Sequence, residues 1–213
     1  MKTLTITIAN LAAAATLLAQ GQISFINLAA DVRAPIYGPL GPGDTTAIVG
    51  NTSSGVPAGT ANYGGRPLLA GSGYTAALFA GPQGSDEGSL QFVAMTTFRT
   101  GTLAGYFASV GAAVQIPGVP GGQVATLQVR VWDNLGGTVN DWATAESLWL
   151  SGQIAAGKSP LFNSLPLGGA GEPPSLPPNL VGLQSFNIYY VPEPGTLALL
   201  GLGALGLMVF RRK

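Results

Sequence analysis

Short apolar or alternating runs recur along the middle of the chain and are separated by Gly, Pro and Asn. Within 126–132 the apolar residues fall two apart, while Gln128 and Arg130 point the other way, which is typical of a strand with one solvent-exposed face. Residues 81–84 and 117–122 are typical of turns. The runs predict seven short strands: Ile23–Leu28, Ala47–Val49, Tyr74–Ala80, Leu90–Arg99, Tyr106–Ile116, Val124–Trp132 and Phe186–Val191.

One segment departs from the β pattern. Asp141 can cap a helix of roughly 141–156, in which apolar residues recur at spacings of three and four: Trp142, Ala145, Leu148 and Trp149. Residues 40–66 and 166–180 are rich in Gly, Pro, Ser and Asn and predict long loops. The expected fold class is therefore mainly β: an antiparallel β-sandwich of jelly-roll type with one short helix.

The C-terminus has a three-part order. Val191, Pro192, Glu193 and Pro194 come first, an uncharged apolar stretch follows, and Arg211, Arg212 and Lys213 close the chain. The stretch 195–210 predicts a transmembrane helix of about 24 Å, a little short of a hydrocarbon core of ~30 Å. The basic triplet orients the helix with its C-terminus in the cytoplasm. The two prolines hold the segment before the membrane extended, as a protease requires.

The N-terminus resembles a secretory signal peptide over residues 1–21, with Lys2 followed by an Ala- and Leu-rich stretch. A small-x-small site at Ala19 and Gly21 predicts cleavage after Gly21, and cleavage after Ala19 remains an alternative. Three parts follow: the signal peptide 1–21, a β-sandwich ectodomain 22–190, and a C-terminal anchor segment 191–213. Export would use the Sec translocon and signal peptidase.

The amino-acid composition excludes several classes of binding site and catalytic mechanism. Nine basic and nine acidic residues leave no net charge and no basic patch, so we expect no nucleic-acid partner. The chain has no His and no Cys, which removes the commonest general base, thiol catalysis, disulfides and most metal sites. We therefore expect no cofactor, no metal and no enzymatic activity.

The order Pro192-Glu193-Pro194, apolar helix, Arg211-Arg212 resembles the PEP-CTERM sorting signal of exported proteins. The resemblance covers about a tenth of the chain and implies that an exosortase, a membrane-embedded protease, recognises the tripeptide and processes the anchor. The runs 74–82, 129–133 and 157–162 also loosely resemble uncharacterised ectodomains that precede this signal. That second resemblance implies a β-rich domain and no functional residue.

Two glycine patterns match nucleotide motifs without the necessary context. Residues 152–159 fit G-x-x-x-x-G-K-[ST], but Pro160 prevents the helix that the motif requires, so we interpret Gly157 as a helix cap. Residues 201–206 fit G-x-G-x-x-G, but they lie inside the predicted anchor.

Carboxylates and aromatic residues supply the remaining candidates. Asp86 with Glu87, and Asp133, Asp141 and Glu146, are considered for glycoside hydrolysis. Asp133, Asn134, Asn140 and Asp141 are considered for calcium, although a solvated turn explains them better. Trp132, Trp142, Trp149, Tyr189 and Tyr190 either form a platform for sugar rings or pack in the core, which we favour.

The sequence therefore predicts an exported, membrane-anchored protein with a structural or adhesive role at the cell surface or in an exopolysaccharide matrix. A carbohydrate-binding module is the alternative hypothesis and predicts exposed aromatic rings. A glycoside hydrolase is the third and requires two facing carboxyl groups across a cleft.

Overall fold

The computed structural model describes residues 20–169 and 174–192. This part of the chain contains seven strands and one α-helix, α1 (Trp142–Leu150), with two short 3-10 turns at Glu87–Ser89 and Gly101–Leu103. The mainly β composition with a single helix is as predicted. The strands are β1 (Gln20–Ile23), β2 (Tyr74–Pro82), β3 (Gln91–Thr96), β4 (Val114–Pro120), β5 (Ala125–Asp133), β6 (Ala156–Lys158) and β7 (Phe162–Asn163).

The strands form two antiparallel sheets. The larger has the order β3-β2-β5-β6, with β7 also paired to β5. Its centre is the β2–β5 pair, whose register runs from Tyr74 opposite Asp133 to Pro82 opposite Ala125. The smaller sheet pairs β1 with β4, and β4 also lies against β2 and β3. The predicted antiparallel arrangement is therefore confirmed.

Apolar side chains fill both faces of the larger sheet. One face joins the main core, which includes Ile23, Leu78, Ile116 and Leu127. The other face carries a second cluster, which we call the aromatic layer: Phe79, Trp132, Trp142 and Trp149. Trp142 and Trp149 come from α1, so the helix covers this face of the sheet. Burial on both faces explains why β2 and β5 read as nearly continuous buried strands.

The prediction that one face of β5 is exposed to solvent is wrong. Gln128 and Arg130 are only 2% and 7% exposed. The Arg130 guanidinium lies over the Phe79 ring at 4.0 Å, and its Nη2 donates to the carbonyl oxygen of Glu87 at 3.1 Å. An alternating strand pattern shows that one face is polar, but it does not show that a helix and a loop cover that face.

Four predicted strands differ from the structure. Of the run 106–116, only Val114–Ile116 lies in a strand, β4, while Phe107 forms an isolated bridge with Phe98. The runs 47–49 and 186–191 form isolated bridges, among them Val49 with Phe186 and Tyr37 with Asn187. Strand β1 ends at Ile23, where a strand over 23–28 was expected to begin. Strand β4 continues from Pro117 to Pro120, where the sequence predicts a turn. The strand continues because this stretch pairs with β1 and buries Val119.

The helix begins as predicted and ends early. The Asp141 carboxylate accepts from the backbone N–H of Thr144 at 2.9 Å and caps α1. The helix ends at Leu150, not near 156, because Gly152 follows with a φ of +74° and residues 156–158 form β6. The interpretation of Gly157 as a helix cap is therefore wrong, since Gly157 pairs with Val131 in the sheet.

Several predictions lie outside the described residues. They concern most of the signal peptide, the transmembrane helix 195–210, and the residues Ala19, Glu193, Pro194, Arg211, Arg212 and Lys213. Within 20–169 and 174–192, no helix combines the length and the hydropathy that a membrane crossing needs.

Candidate functional site

The chain is held by the domain up to the residue before the predicted sorting segment. Tyr189 exchanges two backbone hydrogen bonds with Ala156, at 3.0 and 3.1 Å. The indole Nε1 of Trp149 donates to the Tyr189 carbonyl oxygen, and the backbone N–H of Tyr190 donates to the carbonyl oxygen of Asp44. Val191 is half-buried against the aromatic layer and Pro192 is exposed. The predicted recognition residues thus begin directly after the last residue that is hydrogen-bonded to the domain, Tyr190.

A buried ion pair fixes the loop that receives Tyr190. Both Asp44 carboxylate oxygens accept from the guanidinium of Arg66, and they also accept the backbone N–H groups of Leu40 and Thr46 at 2.9 and 3.1 Å. The Arg66 side chain is 3% exposed and that of Asp44 is 10% exposed. The hydrogen bonds from Arg66 hold the pKa of Asp44 well below its usual range, although burial opposes this. Sequence reasoning missed this pair, because it joins two ends of a predicted loop.

The three tryptophans are packed rather than exposed. Trp132, Trp142 and Trp149 are 1%, 7% and 5% exposed, and Tyr189 and Tyr190 are half-buried. Neighbouring rings meet at centroid distances of 5.9, 6.0 and 5.2 Å, in the order Trp132, Trp142, Trp149, Tyr189. The expectation that the tryptophans form core is confirmed. They form no flat exposed row on which a sugar ring could stack.

The carboxylates that the sequence grouped are separated by the fold. Asp86 caps a 3-10 turn through Ser89, whereas Glu87 binds Lys158 with Oε1 at 2.5 Å from Nζ. Glu146 approaches the same ammonium group at 3.6 Å. Burial alone raises the pKa of Glu87, but hydrogen bonds from Lys158 and Gln128, with nearby positive charge, outweigh it, so the net pKa is lowered. Lys158, which lies in the stretch 152–159 that fits a phosphate-binding motif, therefore forms ion pairs with Glu87 and Glu146.

The candidate calcium ligands serve local turns. Asp133 accepts from the backbone N–H of Leu135 at 2.9 Å, and the Asn134 side chain joins Ser72, Thr75 and Gly137. Asp141 caps α1 and Asn140 is exposed beside it. In the part of the chain that the structure describes, no three acidic side chains converge as a metal site would require.

An apolar pocket of about 400 Å³ opens between β3 and the start of α1. Phe79, Trp132 and Trp142 form its base, while Phe92 and Met95 of β3 line its outer side. Phe92 and Met95 are 52% and 47% exposed. Sequence reasoning missed this pocket, because Phe92 and Met95 lie in a run that predicts only a strand.

Comparison with known proteins assigns the C-terminal segment. Residues 191–213 match the PEP-CTERM protein-sorting motif. This motif implies that the protein is exported, sorted by an exosortase and anchored in the membrane before processing. No curated protein and no solved structure matches the chain.

Proposed function

We propose that the chain from β1 to residue 190 forms a non-enzymatic β-sandwich domain, delivered to the cell surface or the exopolysaccharide matrix, where it has a structural or adhesive role. The Sec translocon and signal peptidase act at the N-terminus, after which the exosortase recognises Val191 to Pro194 and releases the domain from its anchor. Arg211, Arg212 and Lys213 keep the C-terminus of the anchor in the cytoplasm. Extracellular polysaccharide is the proposed partner of the released domain.

The observation that carries the proposal is the direct junction between domain and motif. The backbone N–H of Tyr190 is bound at 2.8 Å to Asp44, and Pro192 is exposed two residues later. A proline holds its own φ and disfavours helix in the residue before it, so the segment leaves the domain extended. An extended segment fixed at one end is suited to entry into a protease cleft.

The non-enzymatic part of the proposal rests on the state of the carboxylates. A glycosidase needs one carboxylic acid whose pKa is raised and a second carboxylate across a cleft. Glu87 is instead ion-paired with Lys158 and its pKa is lowered. Asp86, Asp133 and Asp141 each accept a backbone N–H in a local turn or cap.

The test is the mass and the membrane fractionation of the protein from its native host. The variant P192A/E193A/P194A is compared with the wild type and with P42A, which changes an exposed proline in the loop 40–66. We expect wild type and P42A to lose the C-terminal segment, while the triple variant keeps it and stays in the inner membrane. If all three retain Arg211 to Lys213 in the same fraction, the sorting function fails.

A further inference from the structure

The segment that leads to the sorting motif leaves the larger sheet at the same end as β5. Tyr189 pairs antiparallel with Ala156 of β6, and β6 pairs antiparallel with β5, so the chain after Tyr189 runs in the direction of β5. Asp133, the last residue of β5, donates its backbone N–H to the residue before Ala156 at 3.0 Å. Asp133, Tyr190 and Pro192 therefore lie at one end of the domain, which we call the exit end.

A leucine stands in the turn that follows β5 at the exit end. Leu135 is 50% exposed and has a φ of +48°, the only positive φ at a residue other than glycine within 20–169 and 174–192. The turn is fixed, because the Asp133 carboxylate accepts the Leu135 N–H at 2.9 Å and Thr138 Oγ1 donates to the Leu135 carbonyl oxygen at 3.1 Å. Leucine is strained in this region, whereas Gly or Asn adopts it readily. The fold therefore presents an apolar side chain where a polar residue would suit the backbone better.

A second leucine is exposed at the same end. Tyr37 lies parallel to Asn187 in an isolated bridge. Leu40 comes three residues after Tyr37, and Tyr190 comes three residues after Asn187, so Leu40 and Tyr190 lie at about the same level. Asp44 joins them: its carboxylate accepts the N–H of Leu40 at 2.9 Å, and its carbonyl oxygen accepts the N–H of Tyr190 at 2.8 Å. Leu40 is 62% exposed beside the exit of the chain.

The chain between the exit end and the predicted anchor is short. The uncharged stretch begins at Gly195, three residues after Pro192. An extended chain spans at most about 3.6 Å per residue, so Pro192 lies within roughly 11 Å of the first residue of the predicted anchor. The headgroup layer on each side of the hydrocarbon core is roughly 5–8 Å thick. The exit end therefore lies in the headgroup layer or directly against it.

We propose that the exit end rests on the lipid bilayer, with the side chains of Leu40 and Leu135 in the headgroup layer, and holds the sorting motif at the membrane surface. This inference rests on the anchoring of residues 191–213 in the membrane, which the motif implies. The contact removes two exposed apolar side chains from water. Because the anchor keeps the domain beside the bilayer, even a contact too weak to bind a free domain is populated.

The opposite end of the domain supplies a matched control. Leu176 is 91% exposed and lies next to Gly168, which packs on Gly121, shortly before β5 begins. Strand β5 has nine residues and spans about 27 Å. Leu176 and Leu135 are therefore exposed leucines at opposite ends of the same strand, and only Leu135 lies at the exit end.

The test uses the full chain in vesicles of phosphatidylethanolamine and phosphatidylglycerol that contain no other protein. The chain has no cysteine, so L40C, L135C and L176C each accept a single fluorescent label. Lipids that carry a nitroxide at the headgroup quench a label that touches the bilayer surface. We expect quenching at positions 40 and 135 to be several-fold stronger than at position 176. Flotation of the vesicles measures whether each chain is anchored.

The outcomes separate this inference from the sorting function. Equal quenching at all three positions, in a chain that floats with the vesicles, overturns the contact and leaves the sorting proposal standing. A chain that does not float overturns the anchoring and the contact together. Since the vesicles contain no exosortase, stronger quenching at positions 40 and 135 reports contact with lipid and not with the protease.

A second measurement tests whether the contact holds the motif in place. L135N removes the apolar side chain and suits the positive φ, so we expect its thermal unfolding midpoint to be no lower than that of the wild type. We expect L135N and L40S to slow the loss of the C-terminal segment several-fold in a pulse-chase in the native host, and L176S to leave the rate unchanged. Wild-type rates in L135N and L40S would overturn the positioning role.

Discussion

The indole Nε1 of Trp149 donates to the carbonyl oxygen of Tyr189 at 2.8 Å, three residues before Pro192 of the sorting motif. The helix α1 therefore holds the strand-like segment that leads to the motif. Trp132 similarly binds Val139 at 2.9 Å, whereas Trp142 Nε1 is buried and has no hydrogen-bond partner among the described residues. The three indoles of one layer thus differ in whether Nε1 donates a hydrogen bond, which substitution can test.

We predict that W132F lowers the free energy of unfolding by about 1–3 kcal/mol more than W142F does, and that W149F lowers it by about 0.5–1.5 kcal/mol more than W142F does. All three changes remove similar volume from well-buried sites. W132F leaves the buried Val139 carbonyl without its donor. W149F removes one of the two donors to the Tyr189 carbonyl, which keeps the N–H of Ala156, while W142F removes a donor that is already unpaired. Chemical unfolding followed by tryptophan fluorescence measures the difference. Equal losses for all three variants would show that packing alone sets the stability of the layer.

The Arg66–Asp44 pair should contribute strongly to the free energy of unfolding, because both side chains are almost fully buried. R66M leaves the Asp44 carboxylate buried without its cation, and we expect a loss of about 3–5 kcal/mol. R99M changes a more exposed arginine with no ion pair to a described residue, and we expect less than about 1 kcal/mol. The midpoint of thermal unfolding, compared at neutral pH, measures both.

The same pair predicts a pH dependence. The pKa of Asp44 is lower in the folded than in the unfolded chain, where it is 3.8. Its contribution is therefore complete above the unfolded pKa and is lost as the pH falls toward the folded pKa. We expect the stability difference between wild type and D44N to be constant from pH 7 to about pH 5 and to shrink below about pH 4. A difference that stays constant into strong acid would contradict the ion pair as its cause.

Arg130 and Lys158 should differ in how much they contribute to the free energy of unfolding. Arg130 lies over Phe79, donates to Gln128 at 2.8 Å and is almost fully buried. Lysine cannot reproduce the planar stacking or the forked hydrogen bonds, so we expect R130K to cost about 1–3 kcal/mol. Lys158 pairs with glutamates that are about two-fifths exposed, and we expect K158M to cost less than about 1 kcal/mol. Unfolding curves at low and high salt separate the two: only the K158M effect should fall with salt.

The sequence predicted the position of β5 and the start of α1. The spacing of two between Val129 and Val131 is typical of a strand, and the spacings of three and four from Trp142 through Ala145 to Trp149 are typical of a helix. It also predicted the sorting segment, since that signal depends on order along the chain rather than on contacts. The burial of Arg130 and the pairing of Asp44 with Arg66 were not predictable, because each depends on segments that meet only in the fold. The bridge between Val49 and Phe186 is another case: neither run is long enough to show a strand.

Gly157 shows how a motif can arise for a packing reason. A Cβ at this position would lie 2.6 Å from the backbone oxygen of Asn187, so the glycine allows β6 and the C-terminal segment to approach closely. We expect G157A to cost about 1–3 kcal/mol. G73A is the control, because a Cβ there meets nothing within 4 Å, and it should be within about 0.5 kcal/mol of wild type. If both are neutral by chemical unfolding, the close approach is not a constraint.

The N-terminal cleavage site is the last prediction. Strand β1 begins at Gln20, which pairs with Pro120, and Gly21 packs so closely that a Cβ would lie 2.5 Å from Leu167. Cleavage after Gly21 would remove half of this four-residue strand, whereas cleavage after Ala19 keeps it whole. We therefore expect the mature protein to begin at Gln20, as measured by the intact mass of the protein from its host. A mass that corresponds to Gln22 as the first residue would show that β1 is dispensable, and an engineered chain beginning at Gln20 should then be no more stable than the natural one.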